Sequence, residues 1–421
     1  MTDLESPAIV RRAWTIFSIG CVGFVLSMFY RLSVTVISPD LARDLNLSAV
    51  QLGSLSAAFF YAFAVTQVPL GLALDSVGAR LVMTVLSAVG IAGAVLFALA
   101  QTAGQAVWGR ILLGIGTSGN LMGLLVLMAA WFPAERFATL LGLFVGIGSV
   151  GGLLAASPLA LLAGWLGWRG SFLAIALLHA VYALVFFLVV RNRPDRTAGP
   201  KGSSANPLKG LWRLIKFPSY WWISLGTFFR YGCLTALQGL WAGPYLVNVQ
   251  GLTILEAGNV LLVMSVGYIV GLPLFGRLSD HLLRSRKWVI QPSLLGMAAA
   301  FLGLVFWPPG THPLGIYLLF FALGLLAAPG QIMYSHIKEL VPLEVMGTAS
   351  TGINLFTMLG PAFIMQAMGL VVAGGPLALH SPEAFRPAWL LCAGGLALAG
   401  LLYLLVPESG LFKSQGSRGN P

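Results

Sequence analysis

Apolar residues run along this chain in twelve long stretches, at roughly 13–38, 49–74, 80–100, 105–131, 137–164 and 171–191, then 219–245, 254–276, 287–307, 313–338, 347–372 and 384–406. Short charged or Pro/Gly-rich breaks separate them. About 20 apolar residues carry a helix across the hydrocarbon core of a bilayer, so each stretch predicts a membrane-spanning helix. The longest polar interruption, RNRPDRTAGPKGSSANPLKGLWRLIK at 191–216, divides the stretches six and six. The pattern therefore predicts an all-α membrane protein of twelve transmembrane helices. An N-terminal six-helix bundle is expected over 1–190 and a C-terminal one over 219–421, joined by a basic linker at 191–218.

Composition agrees with the pattern. Of 421 residues, 58% are hydrophobic and only 9% charged, against roughly 25% charged in a soluble domain; lipid must solvate most of the surface. No cleavable signal is expected, because Asp3 and Glu5 precede an apolar run too long for a signal core. Cys21, Cys233 and Cys392 all fall inside apolar stretches, which reads as buried thiols and not as a disulfide framework. The formal charge of +11 could suggest a nucleic-acid partner, but its placement argues otherwise. Basic residues precede the first stretch, fill the linker and recur in RSRK at 284–287, all on one side if every stretch spans. That positive-inside asymmetry puts both termini and the linker in the cytoplasm, with the inner (plasma) membrane as partner and no nucleic acid.

The two halves repeat each other. GLALDSVGAR begins at Gly71 and GRLSDHLLRSRK at Gly276, 205 residues later, and both read Gly-x-x-x-Asp followed by basic residues. The same offset superposes Ser48–Gly53 on Thr253–Gly258, including the hydroxyl residue and the glycine. One offset across a helix start and a loop predicts pseudo-symmetric bundles.

With twelve spans, a basic central loop and this paired loop motif, the chain resembles the major facilitator superfamily of secondary transporters. Gly71, Asp75, Gly78 and Arg80 match the family's loop element, while Ser76 and Ala79 replace two of its basic positions. Arg110, Gly114 and Gly116 resemble its Arg-x-x-x-Gly-x-Gly element. The Gly-Pro step of drug/proton antiporters is missing from GLFVGIGSVGGLLAASPL. The resemblance implies rocker-switch alternating access, with helices 1, 4, 7 and 10 lining a central cavity. It also implies a gate in which Asp75 pairs with a neighbouring helix start or with Arg136, repeated at Gly276 and Asp280. GIGTSG (114–119) and GIGSVG (146–151) satisfy a dinucleotide fingerprint, but inside apolar spans small residues serve close helix packing. Gly142 and Gly146 read the same way.

The candidate chemistry is three arginines inside the spans. Arg31 sits in FYRLSVTV, where Ser27, Arg31, Thr35 and Ser38 share one helical face. Arg230 lies near the middle of the seventh span, among Thr227, Tyr231, Gln238 and Tyr245, and Arg110 lies in the fourth. Intramembrane ionisable residues are costly and by default functional. None of the 13 acidic residues falls mid-span, so no carboxylate of the chain is available to neutralise Arg230. A guanidinium fork suits a carboxylate or phosphate, and the missing counter-ion is then the substrate. A small organic anion is expected, a carboxylate before a phosphorylated compound. A zwitterion such as an amino acid or short peptide, and an amphiphilic drug, stay open. Tyr30, Trp241, Asn354 and Gln331 would shape the rest of the pocket. His336 on helix 10 is the possible proton site, and His179 reads as a hydrogen-bonded packing residue. No metal-ligand cluster and no nucleophile–base pair stands out, so a monomeric transporter without cofactor or metal is expected, not an enzyme.

Overall fold

The computed structural model describes residues 7–133, 136–192, 214, 216–309, 313–341, 346–373 and 381–408. Most of the predicted linker therefore lies outside the described residues. The first half contains α1 (Pro7–Leu32), α2 (Val34–Asp44), α3 (Ala49–Ser76), α4 (Ala79–Ala98), α5 (Ala103–Thr117), α6 (Gly119–Trp131), α7 (Phe137–Leu154) and α8 (Ser157–Val189). The second contains α9 (Pro218–Ala236), α10 (Ile254–Arg277), α11 (Lys287–Val305), α12 (Pro313–Ala327), α13 (Gly330–Leu340), α14 (Met346–Ala373) and α15 (Pro382–Leu402). Among the described residues ten helices are long and apolar enough to cross a membrane. The shorter apolar helix Leu140–Leu154 and the helix that starts at Pro218 bring the spans to twelve.

The chain forms two compact units, Met1–Leu47 with Ser54–Pro200, and Ser48–Gly53 with Lys201–Pro421. Packing inside them is parallel. In the first, α1 packs on α7 and α4 on α8; in the second, α9 packs on α14 and α11 on α15. These are the same pairs once the first helix is matched to the seventh. The repeated loop explains itself here. The Ser48 hydroxyl accepts from Gln51 N (3.3 Å) while Ser48 N donates to Gln51 Oε1 (2.9 Å). Thr253 and Glu256 do the same at 3.2 and 2.8 Å. Both helices begin with a capping box, which satisfies two otherwise orphaned donors.

Several predicted spans are not continuous. The first breaks at Ser33, the fourth at Ser118 and the tenth at Ala328–Pro329. The seventh runs on from Ala236 through π-helical turns at Leu237–Trp241 and Tyr245–Val249. The fifth and sixth meet inside α8, where Gly167 (φ 67°) turns the chain between two helical runs; only glycine enters that region without a Cβ penalty.

The glycine-rich runs divide by helix face. A Cβ on Gly114 would strike the Phe59 backbone, and one on Gly116 the Gly90 backbone. Gly148 and Gly151 lie against Phe24 and Val25 of α1. Gly142 and Gly146 face open space, so the packing expected of that pair is not realised.

Candidate functional site

In the first unit the chemistry gathers around the α1–α2 break. Stopping the hydrogen-bond ladder at Ser33 leaves the Tyr30 carbonyl, deep in apolar surroundings, in need of a donor. Arg110 Nη1 supplies it from α5 at 2.8 Å, with Ser33 Oγ at 3.3 Å. The Arg110 guanidinium lies over the Phe59 ring, 4.6 Å from its centroid, and is fully buried. Arg31, 4% exposed, lies over Phe63 at 4.9 Å. Ser27, Thr35 and Ser38 are buried too, so the polar stripe faces protein and not lipid, although the break at Ser33 means no single helix carries it. The structure does not bring the Tyr30 ring to Arg31. Neighbours on a helix point about 100° apart, and this ring packs on Phe172 and His179 of α8 at 6.3 and 5.7 Å.

The second unit repeats the device with the roles of the helices exchanged. Pro329 interrupts the tenth span, and Gln331 N bonds the Ala328 carbonyl in place of Ala327. Arg230 Nη1 from α9 then donates to the Ala327 carbonyl at 2.8 Å. Gly330 makes the room, since a Cβ there would fall on the guanidinium itself. Neither Arg110 nor Arg230 joins an ion pair among the described residues, and the Nε of each is buried without an acceptor.

The remaining predicted pocket residues separate. Tyr231 follows Arg230 and its ring lies 5.6 Å from the guanidinium carbon. Asn354 Oδ1 accepts from the Tyr334 hydroxyl (3.3 Å), which also bonds Thr357 (2.9 Å). Gln331 donates to Tyr268 (3.1 Å) and Gln238 to Ser265 (2.8 Å). Trp241 and Tyr245, by contrast, are packing residues. Trp241 Nε1 bonds the Met365 carbonyl at 3.2 Å, and Tyr245 sits against Phe385 and Trp389. Tyr245 lies 15 residues past Arg230, roughly 20 Å along a helix. Sequence reasoning missed Tyr268, Ser265 and Thr357; a lone hydroxyl in an apolar span carries no signal until its partner is known.

Both ring nitrogens of His336 are engaged within the second unit. Its Nδ1 meets the Tyr403 hydroxyl at 2.8 Å and its Nε2 the Pro407 carbonyl at 3.1 Å, which fastens α13 to the end of α15. The expected proton site is thereby a helix anchor.

The residues expected to form the gates occupy helix ends. Gly71 and Gly276 face open space. Asp75 lies in the last turn of α3, with its side chain outside the described residues. Gly78 adopts φ 93°. Arg80 N donates to Asn192 Oδ1 (2.8 Å), and Arg80 Nε donates to the Phe187 carbonyl (2.9 Å), capping α8. Arg136 is exposed just before α7. Asp280 pairs with Arg286, which also holds Glu339 at 2.9 Å. Burial works against the Arg286 charge, but the hydrogen bonds to Glu339 and Asp280 outweigh it and raise its pKa.

On the other side of the first unit, Asp44 accepts from Trp168 Nε1 (2.9 Å) and Arg169 Nη1 (3.0 Å), and Arg169 Nη2 donates to the Ala100 carbonyl (2.9 Å). The Trp168 hydrogen bond, helped by Arg169 and Arg43, lowers the Asp44 pKa.

The family model for the Major Facilitator Superfamily matches residues 19–365 and 223–419. The chain belongs to the Major Facilitator Superfamily. It is an all-α, multi-pass membrane protein of twelve helices in two pseudo-symmetric six-helix bundles. Among curated relatives it is 25% identical over 411 residues to a "Hexuronate transporter" of Bacillus subtilis, covering 90% of this chain and 91% of that one. It is 24% identical over 391 residues to a "Probable galactarate/D-glucarate transporter" of Escherichia coli, covering 81% and 83%. Its fold matches a bacterial homolog of the human lysosomal transporter Spinster with a TM-score of 0.77 at 19% identity, over 94% of this chain and 97% of that one. A D-xylose-proton symporter matches with a TM-score of 0.76 at 17% identity, over 94% and 98%.

Proposed function

We propose that this protein transports a small organic anion across the inner membrane by alternating access, with a carboxylate as the preferred cargo. The observation that carries the reading is Arg230. It is 1% exposed, spends one donor on a helix-break carbonyl, keeps Nε without an acceptor, and belongs to a chain whose 13 acids all avoid the middle of its predicted spans. A buried, always-charged guanidinium is most stable with a planar anion in its fork. Relatives named for hexuronate, galactarate or D-glucarate, L-galactonate and tartrate support a polyhydroxylated carboxylate. Within the second unit, Tyr231, Gln331, Asn354 and Gln238 would contact it; within the first, Arg31 is the candidate, beside the break that Arg110 holds.

The termini and the linker at 191–218 lie in the cytoplasm in this reading, which the placement of basic residues supports, and the unit of function is a monomer without cofactor. Asp75 and Asp280 act as gates, so Asp75→Asn leaves binding measurable and slows exchange by shifting the balance of states.

The test is a thermal-shift screen of purified protein against glucarate, galactarate, glucuronate and tartrate, followed by counterflow in proteoliposomes. A true ligand at 100 times its Kd adds about 2.7 kcal/mol. If neutral sugars or amphiphilic cations stabilise the protein and none of these acids does, the anion reading is wrong.

A further inference from the structure

We propose that the interior of the first unit holds a proton-binding site centred on His179, with water bridging it to side chains of α1 and α6. His179 is fully buried on α8, and neither ring nitrogen has a hydrogen-bond partner among the described residues. It is sandwiched between two phenol rings, Tyr30 of α1 at 5.7 Å and Tyr182 at 6.0 Å. Both phenol oxygens are themselves buried without a partner, and so is Asn120 Nδ2 of α6.

These polar tips converge. A Cβ built on Gly23 would press against the Tyr182 hydroxyl and stand 3.1 Å from Asn120 Oδ1. Tyr182 and Asn120 thus bring their polar ends to the same stretch of α1, and only a glycine at position 23 leaves room for the hydroxyl. On the other flank a Cβ on Gly90 of α4 would come within 3.0 Å of His179 Cε1. Buried polar atoms in native proteins are nearly always hydrogen-bonded, and water serves where protein does not. A polar pocket holds water that makes about three such bonds, whereas an apolar one stays dry. Three helices contribute unbonded donors or acceptors here, which is the wet case.

The imidazole makes the site more than a hydration pocket. Phenol and amide groups do not change charge state between mildly acidic and neutral pH, while an imidazole is a side chain able to gain and lose a proton. A neutral imidazole has one bare nitrogen; a proton delivered through the bridging water binds to it and leaves by the same route, with no other bond made or broken. An ionisable group at membrane depth is functional by default. His336 is committed at both nitrogens, and no carboxylate lies mid-span in the sequence. The charged or titratable groups on the surrounding elements are Arg11, Arg12, Cys21, Tyr30 and Arg31 on α1, Asp40, Arg43 and Asp44 on α2, Arg80 on α4 and Arg110 on α5, with Arg169 and Tyr182 on α8 itself. Asp44 is held at Trp168 and Arg169, and Arg80 at Phe187, two to three turns from His179. Arg110 sits on the Tyr30 carbonyl and opposes a second positive charge, as like charges do. Loading of the proton is therefore favoured when an anion offsets Arg110. For its use as a coupling site the proposal rests on the transport reading above; for its existence it does not.

The test needs no substrate. The full chain is labelled with 15N-histidine and reconstituted in lipid bilayers, and the imidazole signals are followed by solid-state NMR from about pH 3 to 8, because burial disfavours the charged ring. His179→Gln assigns the resonance, with a monodisperse elution profile as the folding control. The expected result is polarisation transfer from water to the His179 ring and conversion to the imidazolium signal on acidification, with the midpoint displaced by Tyr182→Phe. Should His179→Gln fail to fold, Tyr182→Phe identifies the same resonance by moving it. A His179 ring that stays one neutral tautomer over the whole range, or that receives no magnetisation from water, overturns the proposal. Glucarate counterflow across an imposed proton gradient then asks whether the proton is used. Failure there alone counts against coupling, and a normal titration without any glucarate transport counts against the substrate.

Discussion

At the scale of single residues, Arg230 illustrates how a rule about cost becomes a rule about function. A guanidinium in the middle of a span was visible in the sequence because nothing else there is charged. What the sequence hid is that one of its five donors is already engaged by Ala327. In the proposed role, the substrate would meet a guanidinium that is oriented before it arrives, which lowers the ordering cost of binding. Lysine keeps the charge but loses the fork. Arg230→Lys is expected to weaken glucarate binding by ~10- to ~100-fold, the range of a lost charge-assisted hydrogen bond of ~1.5–3 kcal/mol; isothermal titration of the purified variant measures it. Gly330→Ala makes the same point without touching the charge. Its methyl group would occupy the guanidinium position, so binding should fall by a comparable factor while the protein still inserts and elutes as a single species. Unchanged affinity in Gly330→Ala would show that Arg230 reorients freely and that its orientation is not what matters.

At the scale of elements, the interruptions are the lesson. The first, fourth and tenth spans are broken and the seventh is π-wound, and these are the four spans on which the arginines and the polar residues of the tenth helix lie. Irregular backbone at membrane depth survives only where protein or water satisfies it, and Arg110 and Arg230 do so here. Hydropathy cannot report such breaks, because Ser33, Ser118 and Ala328 are unremarkable in composition. The capping boxes were half legible: the hydroxyl residue repeated at the 205-residue offset, but the reciprocal bonds of Gln51 and Glu256 appear only in the folded chain. The Asp44–Trp168–Arg169 cluster ties α2 to α8 and to the chain after α4. Its pH dependence has a definite sign. The folded Asp44 pKa is depressed, so its stabilisation is present above the unfolded value of ~3.9 and is lost as pH falls through the lower folded value. Asp44→Asn should therefore lower the melting temperature at pH 7, and the gap to the parent protein should close as pH drops below ~4. A gap that is constant with pH would mean the carboxylate charge contributes nothing to the latch.

At the scale of the whole molecule, the orientation proposed from charge placement is open to direct measurement. A single cysteine introduced at Ser203, with Cys21, Cys233 and Cys392 replaced, should react with a membrane-impermeant maleimide in inside-out vesicles and not in intact cells. Labelling of intact cells would invert the topology. The sequence by itself determined the class, the number of spans, the two-fold repeat and the presence of arginines inside the spans. Those depend on hydrophobicity, spacing and net charge, which are sums over the chain and are already present before it folds. The tertiary structure decided which polar residues have partners. It moved His336 from proton carrier to anchor, withdrew Trp241 and Tyr245 into the packing, and left His179 with two unbonded nitrogens. Partnership is a property of pairs distant in sequence, such as Arg230 with Ala327 or His336 with Pro407. A hydrogen bond acts over about 3 Å, so the chain must fold before it is known which groups it joins.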